Sequence, residues 1–308
     1  MSQKIPSVRR VTLVSLVVDL ADIVTNLLVA AITGSAVIFA EMAQGIADAI
    51  GSLLLVVGER RSRLPGDPRY PAGHTREVFF WALLSSVVML VLGSGLSFWR
   101  GYRQLTRLEP LDHPYAALAV LILSVATNGY AVTQSYVRLR ASGSPLRRAF
   151  REESQPLVKT AFLQDSLGTA SALVGLCSLV LYHVLGASPL YDALGAIAIA
   201  CLMVVFSITL IVQAHHLIAG RPVSKRVRES IRRGVLSVPE VDAVNALAAT
   251  FAGSAAITVE LDLDLREELS TVEIEDVLDR IRRAVVSAEP RAGVVHIDLN
   301  SPPGAEPA

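Results

Sequence analysis

Asp48 lies in the middle of an apolar run, GSAVIFAEMAQGIADAIGSLLL, that is long enough to cross a bilayer. Glu41 and Gln44 precede it by two turns and one turn of a helix, on the same face. An ionisable side chain at membrane depth is costly, and the usual task that retains it is to bind or pass an ion. Asp19, Asp22 and Asn26 place further polar groups in another apolar run, where at least one carboxylate is expected to face water or a partner and not lipid. Asn128 is expected to hydrogen-bond between helices. Asp192, near the outer end of its run, is expected to reach the interface in a structural role, and His215 and His216 to face the cytoplasmic interface.

The elements that must position these groups are membrane helices. Of 308 residues 52% are hydrophobic, 18% are charged and the net charge is zero, so nothing argues for a nucleic-acid partner. The mean hydropathy of +0.49 is too high for an ordinary soluble domain. Six runs have the length of a span: 11–33, 37–58, 78–100, 115–137, 160–185 and 190–218. The first follows Lys4, Arg9 and Arg10 and lacks an A-x-A-like cleavage site, so it reads as a membrane helix and not a removed signal peptide. Cys177 and Cys201 both fall in apolar runs and read as small hydrophobes, not as a metal pair or a disulfide.

Orientation follows from the loops. The second loop carries Arg60, Arg61, Arg63, Arg69 and Arg76, and the fourth carries Arg138, Arg140, Arg147, Arg148, Arg151 and Lys159. The third has Arg103 and Arg107, with Arg100 at its edge, and the first and fifth are short and uncharged. Positive short loops stay inside, which places both termini in the cytoplasm, in a multi-pass protein expected in a bacterial inner membrane. Beyond Gly220-Arg221-Pro222 the pattern becomes that of a soluble domain. Val227, Ile231, Val235 and Leu236 predict a helix, while 241–249 and 256–265 predict strands, the second alternating as ITVELDLDL. Ile274, Val277, Leu278, Ile281 and Val285 predict a helix capped by Ser270 or Thr271, and 294–299 a last strand. The fold class expected is therefore an all-α membrane domain of six transmembrane helices plus a small cytoplasmic α+β domain in the order α-β-β-α-β. Its segments are a cytoplasmic N-terminus at 1–10, the transport domain at 11–219, the cytoplasmic dimerisation domain at 220–300 and a disordered tail at 301–308.

This architecture, together with the residues, resembles the cation diffusion facilitator family of metal-ion efflux transporters. The run with Asp48 is similar to the family's second span, which has His or Asp, three residues, then Asp. PGDPRYPAGHTRE is similar to its second loop, and LYDALGAIAIA to the start of its sixth span. GHTREVFFWAL and FLQDSLGTASALVGL lean towards the branch that includes the animal mitochondrial zinc transporter. The resemblance implies a transport site of four side chains, two from the second span and two from the fifth. Carried over, these are Gln44 and Asp48, then Asp165 with Gln164 in the place of the branch's Glu; Ala161, four before Asp165, cannot ligate. Glu41 is a further candidate on the same face. Asp67 and His74 correspond to a second-loop metal position whose other His is here Tyr70, and a lone Asp and His on a loop are otherwise solvated. His296 and Asp298 correspond to a His-x-Asp that bridges metal across a dimer, although the other histidines of that site are absent from NALAATFAGSAAITVEL.

The resemblance implies a homodimer in the lipid bilayer that exports a divalent metal ion, with protons as the counter-ion and no resident cofactor. Zn²⁺ is the first expectation. Carboxylates and amides without imidazole also suit harder ions, so Mn²⁺, Co²⁺ or Fe²⁺ stay open. A second reading on the same fold is a non-transporting metal-binding or scaffold protein with a degenerate site. An intramembrane aspartyl protease is disfavoured, since Gly-x-Gly-Asp is absent from the spans, and no enzyme is expected.

Overall fold

The computed structural model describes residues 8–71, 73–141, 156–253, 256–267 and 269–300, with side chains from Leu20 onward except at 138–141 and 156–161. The tail 301–308, the fourth-loop Arg147, Arg148 and Arg151, and the side chains of Asp19, Arg138, Arg140, Lys159 and Ala161 lie outside the described residues.

Among the described residues the helices are α1 Val8–Thr33, α2 Ala36–Ser62, α3 Glu77–Val88, α4 Gly95–Arg107, α5 Pro114–Ala141, α6 Pro156–Val184 and α7 Pro189–Ile218. Then come α8 Lys225–Leu236, β1 Val241–Phe251, β2 Ile257–Leu265, α9 Thr271–Ala288 and β3 Ala292–Leu299. Five helices are long and apolar enough to cross a membrane: Ala36–Ser62, Glu77–Arg107, Pro114–Val137, Phe162–Val184 and Pro189–Ile218. Among the described residues five of the six expected spans meet the length, and α1, with side chains described from Leu20 onward, contributes the apolar stretch Leu20–Thr33. The chain is a multi-pass membrane protein.

The span Glu77–Arg107 departs from expectation twice. A π-helical segment, Met89–Ser94, joins α3 to α4. The helix also continues past residue 100 and closes only where Leu108 adopts a left-handed backbone at φ 48°. Arg100, Arg103 and Arg107 are thus helical, not loop, residues. Nothing between Trp99 and Arg107 breaks a helix except Gly101, and long basic side chains extend from a span's end toward water.

The described residues divide into two compact units. One draws on the residues up to Val57, from Trp81 through α5, and from Leu157 to Gln213; the other on Gly58–Phe80 and the residues from Ala214 onward. In the helical unit Ile38, Leu121, Leu167, Leu179, Ile199 and Met203 form a buried core. The α1–α2 turn is pinned from two other helices. The Asp192 carboxylate of α7 accepts from Ser35 Oγ at 2.6 Å and from the amides of Ala36 and Val37 at 2.7 and 3.2 Å. A negative charge against free amides at a helix N-terminus satisfies donors that the helix itself cannot. Arg100 donates to the carbonyl of Gly34. Asp192 is fully buried, which corrects the expectation that it reaches the interface and gives its structural role a definite form. Cys177 and Cys201 are free thiols on exposed positions of α6 and α7, so they are surface and not packed hydrophobes.

The second unit contains a three-stranded sheet in the order β1-β2-β3. β1 and β2 are antiparallel, with Leu247 opposite Leu261; β2 and β3 are parallel, connected through α9. Val259, Leu261 and Leu263 of β2 pack against Ile231 and Val235 of α8 and Val277, Ile281 and Val285 of α9. Those positions recur at helical spacing on the helices and alternate on the strand, which is why this stretch was legible. Ser270 caps α9 in a reciprocal arrangement with Glu273.

Candidate ion-binding site in the helical unit

Gln44 and Glu41 are buried on α2, and Asp48, a turn beyond Gln44, is half-buried. Asp165 and Gln164 are half-buried on α6. Gln44 meets α6 at Gly168, one turn past Asp165. A Cβ at that glycine would lie 3.7 Å from Gln44 Nε2 and only 2.5 Å from Asn128 Oδ1 of α5, so the three helices approach closely only because residue 168 has no side chain.

α5 supplies the framework. Ser135 Oγ donates to Asp165 Oδ2. Thr169 Oγ1 donates to the carbonyl of Asn128 at 3.0 Å, binding α6 to α5. The Asn128 side chain itself donates along its own helix to Ser124 O at 2.9 Å. The interhelical hydrogen bond expected of Asn128 is therefore made by its backbone. Ser124 Oγ in turn reaches Asp22 Oδ1 of α1 at 3.5 Å, and Asn26 Nδ2 donates to Asp22 Oδ2 at 3.0 Å. Ser124 and Ser135 escaped the sequence reading. Their signal is that 124, 128 and 135 share one helical face, the polar stripe of SVATNGYAVTQS.

The electrostatics have one sign. Asp22 and Asp48 lie within electrostatic range of Glu41. Among the described residues the buried acceptor oxygens Asn26 Oδ1, Glu41 Oε1 and Gln44 Oε1 have no hydrogen-bond donor. Buried polar atoms are normally satisfied, and a partnerless acceptor loses its solvation without compensation. No lysine or arginine is buried among the described residues. α1, α2 and α6 thus carry carboxylate and amide oxygens with no buried basic residue to offset them, a chemistry suited to a cation. Among the described residues no group of three or more His, Cys, Asp and Glu side chains is placed to hold a metal ion. Any ion held here must take amide or water oxygens besides the carboxylates.

The other candidates lie in the second unit. His74 is buried between two carboxylates: Nδ1 is 2.6 Å from Glu77 Oε1 and Nε2 is 3.2 Å from Asp67 Oδ2. It is not solvated, contrary to the lone-loop-residue reading. The contact with Glu77, reinforced by Asp67, raises the His74 pKa above the ordinary histidine value. Asp67 is held below the usual carboxylate range, first by the amide of Tyr70. The loop lies against the β1–β2 turn, where a Cβ on Gly253 would come 3.1 Å from Thr75 O. His296 and Asp298 are exposed on β3, directly across from Glu260 and Asp262 of β2. These two acids were not singled out from sequence, although the alternation of ITVELDLDL placed them on that face. His215 and His216 are exposed in the last turn of α7.

The profile of the cation efflux transmembrane domain matches residues 12–218. The chain is 26% identical over 289 residues to the mitochondrial proton-coupled zinc antiporter SLC30A9 of Xenopus laevis, covering 89% of this chain and 51% of that protein. It is 24% identical to metal tolerance protein C4 of Arabidopsis thaliana, covering 77% and 52% of the two chains. It is 25% identical to the cation-efflux pump FieF of Cronobacter sakazakii, covering 85% and 83%. The chain spans about half the length of the first two. Among solved structures, a cadmium form of the MamM C-terminal domain matches 26% of this chain and 98% of its own, at 20% identity and a TM-score of 0.24. With a profile match that runs from α1 to the end of α7, this chain belongs to the cation efflux, or cation diffusion facilitator, family.

Proposed function

We propose that the protein exports a divalent metal cation by proton-coupled antiport with alternating access, and that Asp48 and Gln44 of α2 with Asp165 and Gln164 of α6 hold the ion. The observation that carries this reading is the set of donorless buried oxygens of Asn26, Glu41 and Gln44 beside carboxylates and no buried base. A cation or protons supply the missing positive charge, and alternation between the two is what antiport requires. α1 completes six spans, with both termini on the cytoplasmic side. The chain works as a homodimer through its α/β unit, where the paired acids and His296–Asp298 offer a second, weaker place for metal. Zn²⁺ is the first cargo to test, in line with the names of the relatives. Mn²⁺ follows, because oxygen-only donors favour harder ions.

A second reading, a metal-binding or scaffold protein that does not transport, is favoured by one observation: no three-residue cluster of strong ligands exists among the described residues. Flux in proteoliposomes under an imposed pH gradient separates the two. Zn²⁺, Mn²⁺, Co²⁺, Fe²⁺ and Cd²⁺ are compared in the native chain and in an Asp48→Ala/Asp165→Ala variant. The expected result is pH-driven flux of one ion that falls to background in the variant while folding is retained. Metal binding by a folded dimer without flux of any ion would establish the second reading instead.

A further inference from the structure

Apart from the membrane site, the second unit contains a basic cleft of about 200 Å³ lined by Lys225, Arg228, Glu229, Arg232 and Leu247. The four charged residues recur at spacings of three, one and three, so they form one flank of α8, while Ile231 and Val235 face the core. Leu247 contributes from β1, the edge strand of the sheet. The cleft's three cations outnumber its single carboxylate.

Two of these cations are only partly engaged by the fold. Elsewhere in the unit, Arg280 pairs with Glu240 and Arg282 with Asp279, each at 2.9 Å, and Arg291 grips both oxygens of Glu289 at 2.8 and 2.9 Å. Arg266 donates to Pro239 O at 2.9 Å. In the cleft, Arg232 makes one long contact, 3.4 Å to Val244 O on the sheet edge. The Nε of Arg228 is buried with no acceptor among the described residues. A guanidinium donor withdrawn from water and left unpaired costs stability unless an anion completes it.

We infer that this cleft binds the phosphate group of an anionic phospholipid headgroup. Chain continuity favours a lipid source. The last apolar span ends at Ile218, and Arg221, Lys225, Arg226 and Arg228 follow immediately. Seven residue steps extend at most about 25 Å, so Lys225 is tethered near the membrane surface. Basic clusters directly following a span on the cytoplasmic side are drawn to anionic lipid. The planar guanidinium forks match phosphate oxygens in pairs, and Leu247 offers an apolar wall to the carbons of the headgroup. The inference is independent of which ion the membrane site takes.

The test uses the full chain in dodecyl maltoside micelles and counts retained lipids by native mass spectrometry. The probes are dioleoyl phosphatidylglycerol, dioleoyl phosphatidylcholine and inorganic phosphate. The native chain is expected to retain one more phosphatidylglycerol than phosphatidylcholine, and to lose it with added salt. Arg228→Gln should weaken that site about tenfold, as a missing charged hydrogen bond does, whereas Arg283→Gln, outside the cleft, leaves it unchanged. Leu247→Glu, which leaves every basic residue in place, should also abolish it. Equal lipid counts in folded native, Arg228→Gln and Leu247→Glu proteins would overturn the inference. So would inorganic phosphate binding as tightly as phosphatidylglycerol, which would assign the cleft to a soluble anion. A dimer that dissociates in Arg228→Gln with an unchanged lipid count would assign it to acidic residues of a second copy.

Discussion

In the helical unit Asn26, Glu41, Gln44 and Asp192 are buried while Leu28, Ile32, Leu53, Val91 and Val205 are exposed. In the α/β unit Ile231, Val259, Leu261 and Ile281 are buried, while Glu260, His296 and Asp298 are exposed. The inversion follows from the solvent each unit meets. Against lipid an outward leucine costs nothing and an outward carboxylate is prohibitive, so polar groups collect inside and must serve either structure or an ion. Against water the apolar groups collect inside, and a surface carboxylate needs no explanation. A buried carboxylate is therefore informative in the first unit, while in the second a buried guanidinium nitrogen without an acceptor is.

The buried acids of the helical unit themselves divide into two kinds. Asp192 has all its work in view, with one hydroxyl and two amides. Glu41 retains an oxygen without a donor. The comparison predicts different failures. Glu41→Gln is expected to cut pH-driven metal flux at least about tenfold, a loss of roughly 1.4 kcal/mol or more in the transport step, with little change in thermal unfolding. Glu275→Gln, an exposed counterpart on α9, leaves both unchanged. Equal flux in Glu41→Gln and native chain would remove Glu41 from the ion path.

Asp192→Ala is expected to act through the fold. It strands the amides of Ala36 and Val37 and should cost about 2–5 kcal/mol, read as a lowered melting temperature in detergent. Ile281→Ala in the α/β core should cost a similar amount, about 2–5 kcal/mol, by leaving a cavity. These two losses differ in their consequence. Asp192→Ala loosens the start of the helix that bears Gln44 and Asp48, and so lowers flux at temperatures where the protein remains folded. Ile281→Ala should affect flux only once its own unit melts. Equal flux losses from the two would mean that the pinned turn has no special relation to the site.

The smallest effect is the titration of the second-loop clasp. His74 has a raised pKa in the folded chain, so its contribution is complete below the ordinary value of 6.5 and fades as pH rises through the raised value. Asp67 is lowered, so its contribution is present above the ordinary carboxylate value of 3.8 and lost as pH falls below it. Between those limits the loop is most firmly held. Hydrogen-exchange protection of the Gly73 amide, bonded to Tyr70 O at 2.9 Å, should decline on the alkaline side after correction for intrinsic rates. His74→Gln should remove that decline; a decline that persists would place its origin elsewhere.

Composition and periodicity were sufficient for five of the six expected membrane spans and for the α-β-β-α-β order, because both rest on which residues avoid water at a fixed spacing. The second-unit helices and strands fall within a few residues of where their apolar periods placed them. Asp48 and Gln44 stood out as candidates for the same reason: polar groups in an apolar run are visible in one dimension. Three things were decided only in three dimensions. The end of α4 depended on packing and on Leu108 closing the helix, since charge alone does not stop one. The role of Asp192 required Ser35, more than 150 residues away, to arrive beside it. The donorless state of the oxygens around Glu41 could not be read at all until every neighbouring helix was in place. A residue's type is local, but whether its hydrogen bonds are satisfied depends on all the chain packed around it.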